Sequence, residues 1–112
     1  MQVNGMELEF KITNAKFARK YEQAFEKMRH ACEALPDTLA EDIRAQCQAV
    51  KKLTDTLFGA GVYEQLGLDP DDLDENLDFV DRMIQEAALQ KEQALHRYDK
   101  YLPNRAARRH GK

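Results

Sequence analysis

Three apolar stripes of unequal length constrain this chain more than any other feature. The first runs Phe17, Tyr21, Ala24, Phe25, Met28, Cys32, Leu35, and the second Leu39, Ile43, Cys47, Val50, Leu53, Leu57, Phe58. The third runs Leu73, Leu77, Val80, Ile84, Ala87 or Ala88, Lys91, Leu95, Tyr98 and Leu102. Spacings dominated by three and four residues place each set on one face of an amphipathic helix. Helices are therefore predicted over residues 14–35, 39–58 and 74–102. At about 1.5 Å per residue, the first two span roughly 32 Å and the third roughly 42 Å. The third helix should overhang its partners. Its overhang carries Tyr98, Tyr101 and Leu102, which a monomer would expose, so a homo-oligomeric or partner contact is expected there. Lys91 interrupts the seam, and its stem can snorkel over apolar surface.

Local signals set the boundaries. Thr13 and Asn14 are N-cap candidates for the first helix, and Pro36-Asp37 ends it. Thr38-Leu39-Ala40-Glu41 fits a capping box opening the second helix. Gly59-Ala60-Gly61 closes that helix, with glycine suited to a left-handed C-cap. With a joint of about two residues, the first two helices should form an antiparallel pair. Residues 62–68 look like one helical turn closed by Gly67, followed by the acidic turn Asp69-Pro70-Asp71-Asp72 into the third helix. Pro103-Asn104 stops that helix and leaves 103–112 as a flexible basic tail.

Residues 1–12 read as a β-hairpin. Val3 precedes Asn4-Gly5, the preferred pair for a two-residue type I′ turn. Met6, Leu8, Phe10 and Ile12 then alternate with Glu7, Glu9 and Lys11, placing apolar and charged residues on opposite faces. A lone hairpin is marginal in water, so this one must lie on the helices or pair with another chain's edge. The expected architecture is one mainly α domain over 1–102: an N-terminal β-hairpin, an antiparallel helix pair, a short connecting turn and a long third helix with a basic C-terminal tail.

The chain has 112 residues, enough for one modest core. Charged residues make up 33% and hydrophobic residues 43%, a globular balance. No apolar run approaches the roughly 20 residues of a membrane span. The opening Met1-Gln2-Val3-Asn4-Gly5 has neither a basic segment nor an apolar core, so no secretory signal is expected in it. A cytoplasmic protein is expected. The formal net charge of −3 is uneven. Residues 1–60 are neutral overall, 61–102 carry −7, and 103–112 carry +4. An acidic body with a basic tail can attract a second copy or an acidic partner.

Little in the sequence points to catalysis. Cys32 and Cys47 differ in height by roughly 9 Å in an antiparallel pair at 1.5 Å per residue, too far for a disulfide. Both sit on apolar stripes and read as buried free thiols. The acids from Asp69 to Asp81 invite a calcium loop, but a loop starting at Asp72 has Leu77 and Met83 where glycine and glutamate are required. Acidic capping of a helix is the simpler account. His30, His96 and His110 are scattered without metal-ligand spacing. Serine is absent, so a serine nucleophile is excluded. No Gly-rich loop is present, and no cofactor, metal or enzymatic activity is expected. Arg105, Arg108 and Arg109 could touch phosphates, but so few bases give weak, salt-sensitive binding beside an acidic segment, so nucleic acid is not the expected partner.

Three segments carry a family resemblance. They are Val3-Asn4-Gly5-Met6-Glu7-Leu8-Glu9-Phe10, then Leu57-Phe58-Gly59-Ala60-Gly61-Val62-Tyr63-Glu64-Gln65-Leu66-Gly67, and Leu102-Pro103-Asn104-Arg105-Ala106-Ala107-Arg108-Arg109. The chain resembles short proteins encoded among the tail genes of phages and prophages of Gram-positive bacteria, which themselves resemble tail assembly chaperones. The resemblance implies a non-catalytic helper in the bacterial host cytosol. It would coat the tape measure protein, keep it soluble, and yield to the tail-tube protein. Such chaperones act as many copies, so a homo-oligomer is expected. The resemblance offers no active site. It places Phe58, Gly59, Gly61, Tyr63, Leu66, Arg105, Arg108 and Arg109 in shared segments. With the overhang residues, the candidate partner contacts are Phe58, Tyr63, Leu66, Tyr98, Tyr101, Leu102, Arg105, Arg108 and Arg109. The alternatives are a small phage regulatory or nucleic-acid-associated protein using its basic tail, and a structural tail subunit.

Overall fold

A computed structural model of the protein describes residues 1–33 and 38–101. In chain order it contains β1 (Gln2–Val3), β2 (Met6–Glu7), α1 (Ala15–Glu33), α2 (Leu39–Phe58), α3 (Val62–Leu66) and α4 (Leu73–Tyr101). It is mainly helical, with a two-stranded antiparallel hairpin followed by four helices.

The hairpin turns at Asn4 and Gly5, with φ of 50° and 81°. Both are positive, as a type I′ turn requires. Gln2 pairs with Glu7 and Val3 with Met6. Met1 and Leu8 extend the ladder: the Leu8 N–H donates to Met1 O at 2.8 Å, and the Met1 amino group donates to Leu8 O at 2.9 Å. The strand expected through Ile12 stops at Glu7. The alternation nevertheless survives, with Leu8 and Phe10 buried and Glu7, Glu9 and Lys11 exposed. The first strand is too short to pair beyond Leu8, and Gln90 of α4 takes over. Its Nε2 donates to Phe10 O and its Oε1 accepts from the Ile12 N–H, each at 2.8 Å. One side-chain amide thus satisfies the backbone groups a neighbouring strand would have met. Asn4 Nδ2 donates to Leu66 O at 2.8 Å and Arg82 Nη2 to Gln2 O at 2.7 Å, fastening the hairpin to α3 and α4.

Asn14 caps α1 by accepting the Phe17 N–H at 3.1 Å. The described part of α1 ends at Glu33; the expected terminus at Leu35 and Pro36-Asp37 lies outside the described residues. Thr38 caps α2, its Oγ1 accepting the Glu41 N–H at 3.3 Å. At the other end of α2 the expected left-handed glycine is displaced. Gly59 has φ 121° and ψ 153°, and the left-handed residue is Gly61, with φ 84° and ψ −4°. The reason is the immediate start of α3. Asp55 Oδ1 accepts the Tyr63 N–H at 3.0 Å, so the chain must fold back within three residues onto the helix it has just left.

Helix α2 is the central element, packed along α1 and against α3 and α4. The core joins Leu8, Phe10, Ala24, Val50, Leu53, Leu57, Tyr63, Leu66, Leu68, Phe79, Val80, Met83 and Ala87. Phe10 is an aromatic hub, edge-on to Phe17 at 5.1 Å and to Tyr21 at 5.7 Å between ring centres. Such pairs add about 0.5–1.5 kcal/mol each beyond their buried area.

Helix α4 is rotated relative to the sequence expectation. Of the expected stripe, Val80 and Ala87 enter the core, joined by Asn76, Phe79 and Met83. Leu77, Ile84, Ala88, Lys91, Leu95 and Tyr98 remain exposed. Two adjacent faces of this helix are apolar, and the body has one surface to cover them. The shorter face, centred on Met83, wins because it holds the large Phe79 and Met83 side chains and two amides that meet specific partners.

Candidate interaction surface

The exposed face of α4 is built from the residues the core leaves out. Leu77, Ile84, Leu95 and Tyr98 are between 42% and 55% exposed. Separations of 7, 11 and 3 residues place them along one side of the helix, with Ala88 and Lys91 between them. Helix α4 has 29 residues, against 19 in α1 and 20 in α2. Past Gln90, only Ala94 and Asp99 are even half-buried. Its last eleven described residues therefore project about 16 Å from the body. Tyr101, 75% exposed, ends the projection. Leu39 and Leu89 are also exposed but lie apart from the stripe. Single exposed leucines are ordinary; a stripe that outruns the core is not.

The expected contact residues divide sharply. Tyr98 and Tyr101 lie on the projecting helix and are accessible. Phe58 is half-buried, with its ring centre 6.4 Å from those of both Phe10 and Phe17. Tyr63 and Leu66 are buried and offer no surface to a partner. They hold α3 against the core, because the fold-back after Phe58 turns this short helix inward. Leu102, Arg105, Arg108 and Arg109 lie outside the described residues.

The acidic turn organises α4. Asp72 Oδ1 accepts the Glu75 N–H at 3.2 Å, capping the helix, and Asp69 Oδ1 accepts the Asp71 N–H at 2.9 Å. Asp71 pairs with Arg44 of α2 at 2.8 Å. Asn76, which sequence reasoning missed, is fully buried beneath this turn. Its Nδ2 donates to Asp69 O and Asp72 O at 2.8 Å each, and its Oδ1 accepts the Tyr63 hydroxyl at 2.7 Å. Only the sequence position of Asn76, one turn after an Asp-rich cap, hinted at a structural role. Among the described residues, no group of three or more His, Cys, Asp or Glu side chains could hold a metal ion. No helix among them is long and apolar enough to cross a membrane.

Cys32 is half-buried and Cys47 fully buried, and both are free thiols. Burial raises each thiol pKa above its ordinary value. Asp42 adds to the effect at Cys32, and Asp71, Asp69 and Asp72 add to it at Cys47. Both shifts favour the protonated thiol over the reactive thiolate. The surface chemistry available is apolar contact, bordered by Asp74 and Asp81 near the start of α4 and by Lys91, Arg97 and Lys100 toward its end.

The sequence profile of DUF6673, a family of unknown function, matches residues 4–112. The chain belongs to that family. The DUF6673 match takes in the hairpin turn, all four helices and the exposed stripe of α4. No curated protein and no solved structure matches the chain.

Proposed function

We propose that this protein is a non-catalytic helper of phage tail assembly, similar to tail assembly chaperones. It binds the tape measure protein in the bacterial cytosol and releases it to the tail-tube protein. The observation that carries the reading is the apolar stripe of α4 continuing onto a helix that projects past the core. A holdase needs apolar surface that it can offer to a client, and a long helical client offers the same kind of stripe in return. Leu95, Tyr98 and Tyr101 stand where such a client helix has access, unobstructed by α1 and α2. Tyrosine suits the task, since its ring binds apolar surface while its hydroxyl stays in water.

Co-expression with a phage tape measure protein tests the reading. The tape measure protein is expected to stay soluble and to co-purify with the wild-type chain. With Leu95→Glu/Tyr98→Glu, it should return to the insoluble fraction. A wild-type chain that neither solubilises nor retains it, at concentrations where the chain itself is monomeric, overturns the proposal. Purified mature virions are expected to lack the protein; its presence there would make it a structural subunit instead.

A further inference from the structure

Two surfaces of this chain match each other but cannot meet within one molecule. The first is the N-terminal part of the α4 stripe, where Leu77 and Ile84 form a ridge. Asp74 and Asp81 lie three residues before and four after Leu77, hence beside it on the helix. Neither makes an ion pair among the described residues. The second surface is a groove of about 510 Å³ between α1 and α2. Its lining includes the buried Ala24 and Ala49, the half-buried Met28 and the exposed Ala31, together with Lys27, Lys51 and Lys52. Lys51 is engaged by Glu64 at 3.1 Å. Lys27 and Lys52 are exposed and make no ion pair among the described residues. The one acid lining the groove, Asp55, already accepts the Tyr63 N–H.

The two surfaces complement each other in shape and charge. Alanines in the lining let another helix come close, and a leucine–isoleucine ridge fills the space they leave. The ridge is bordered by carboxylates and the groove by ammonium groups. We propose that α4 of one copy seats Leu77 and Ile84 in the α1–α2 groove of a second copy, with Asp74 and Asp81 facing Lys27 and Lys52. The contact is heterologous. Each copy offers one ridge and one groove, so association continues into a ring or a filament and does not close at two. A symmetric α4–α4 pair centred on Leu77 and Ile84 is the competing arrangement, and with that centre it brings Asp81 of one copy close to Asp81 of the other. The groove contact avoids that repulsion. It uses the N-terminal part of α4 and leaves Leu95, Tyr98 and Tyr101 to a client, so it stands or falls separately from the proposed function.

Sedimentation velocity on the full chain tests this directly. The wild type should exceed its monomer mass of 12.9 kDa, grow with concentration, and dissociate between about 0.05 M and about 0.5 M salt as screening shortens the reach of the charges. Lys27→Glu/Lys52→Glu and Asp74→Lys/Asp81→Lys should each be monomeric, with circular dichroism spectra like the wild type. Mixing the two variants should restore the assembly, because each ridge then meets a groove of opposite sign. A wild type that stays monomeric, a groove variant that still assembles, or a mixture that stays dissociated overturns the proposal. A dimer lost with Leu77→Glu/Ile84→Glu but kept with Lys27→Glu/Lys52→Glu overturns it in favour of the α4–α4 pair.

Discussion

The Tyr63 hydroxyl donates to Asn76 Oδ1 at 2.7 Å, and both side chains are buried. This bond ties α3 to α4, and through Asn76 Nδ2 it ties both to the carbonyls of Asp69 and Asp72. Every polar atom of the Asn76 amide is thereby used. Among the described residues, no buried side-chain nitrogen or oxygen lacks a partner.

That arrangement predicts asymmetric costs. Tyr63→Phe leaves Asn76 Oδ1 buried without a donor and should cost about 1–3 kcal/mol. Asn76→Ala loses three hydrogen bonds and strands the Tyr63 hydroxyl, so it should cost more, about 3–5 kcal/mol. The double variant should be less destabilised than the sum of the two, because the shared bond is removed only once. Urea unfolding of the four proteins measures all three quantities. Strict additivity would mean the bond contributes nothing.

Gln90 predicts a second pattern. Gln90→Ala frees Phe10 O and the Ile12 N–H together and should destabilise by about 1–3 kcal/mol. Gln90→Glu keeps the acceptor for the Ile12 N–H but loses the donor to Phe10 O, and it sets a second carboxylate near Glu86, to which Gln90 Nε2 now donates at 2.8 Å. It should therefore lose stability at neutral pH and recover part of it in acid. Amide hydrogen exchange should show the Ile12 N–H opening early in Gln90→Ala and staying better protected in Gln90→Glu, which keeps its acceptor.

Helix extents were legible in the sequence because the stripes and their caps are local. Thr38 with Glu41, Asn14 with Phe17, and Asn4-Gly5 all lie within a few residues of what they organise. The phase of α4 was not legible. The run Leu77, Ile84, Leu95, Tyr98 is the longer apolar pattern, so periodicity selects it, yet the core takes the face holding Asn76 and Gln90. Those two amides look like surface residues until their partners are known, and the partners are remote in sequence: Tyr63 for Asn76, and the Phe10 and Ile12 backbone for Gln90. The burial of Tyr63 and Leu66 was hidden for a similar reason, since it depends on Asp55 folding α3 back onto α2. The exposure of Tyr98 and Tyr101 on the projecting helix was readable from helix lengths alone.

Thiol chemistry should separate the two cysteines. Cys47 is fully buried, and its thiol pKa is raised first by burial and then by the nearby carboxylates. Its alkylation should wait on unfolding and follow the opening equilibrium. Cys32 is half-buried, so it should react without unfolding, though more slowly than a thiol in a peptide. Mass spectrometry of iodoacetamide-treated protein at mildly alkaline pH should find Cys32 modified first. Equal rates in native protein would contradict the placement of Cys47.

Alkaline pH should weaken the fold. Cys32 and Cys47 lie above their ordinary value of 9.0, and Tyr21 and Tyr63 above theirs of 10.0, in each case chiefly through burial. The unfolded chain then loses these protons at lower pH than the folded one. Across the interval between the ordinary and raised values the folded state binds more protons, so stability falls as pH rises. Below that interval the four groups are neutral in both states and contribute no slope. Urea midpoints should fall from about pH 8.5 upward, and Cys32→Ala/Tyr63→Phe should flatten the decline relative to its own neutral-pH value.

The rotation of α4 can be tested by pairing neighbouring positions that the two phases treat oppositely. Met83 is fully buried, whereas Ile84 is 48% exposed. Met83→Ala should cost about 2–5 kcal/mol, through lost burial and the cavity left behind. Ile84→Ala should stay within about 1 kcal/mol, since its side chain already meets water. Phe79→Ala against Leu77→Ala repeats the comparison one turn earlier, with an expected cost of about 3–5 kcal/mol for the phenylalanine. The thermal midpoint should drop accordingly for Met83 and Phe79 alone. If Ile84→Ala and Leu77→Ala proved the costlier pair in dilute protein, those side chains would have to be covered within the monomer. The stripe could then serve neither a client nor a second copy.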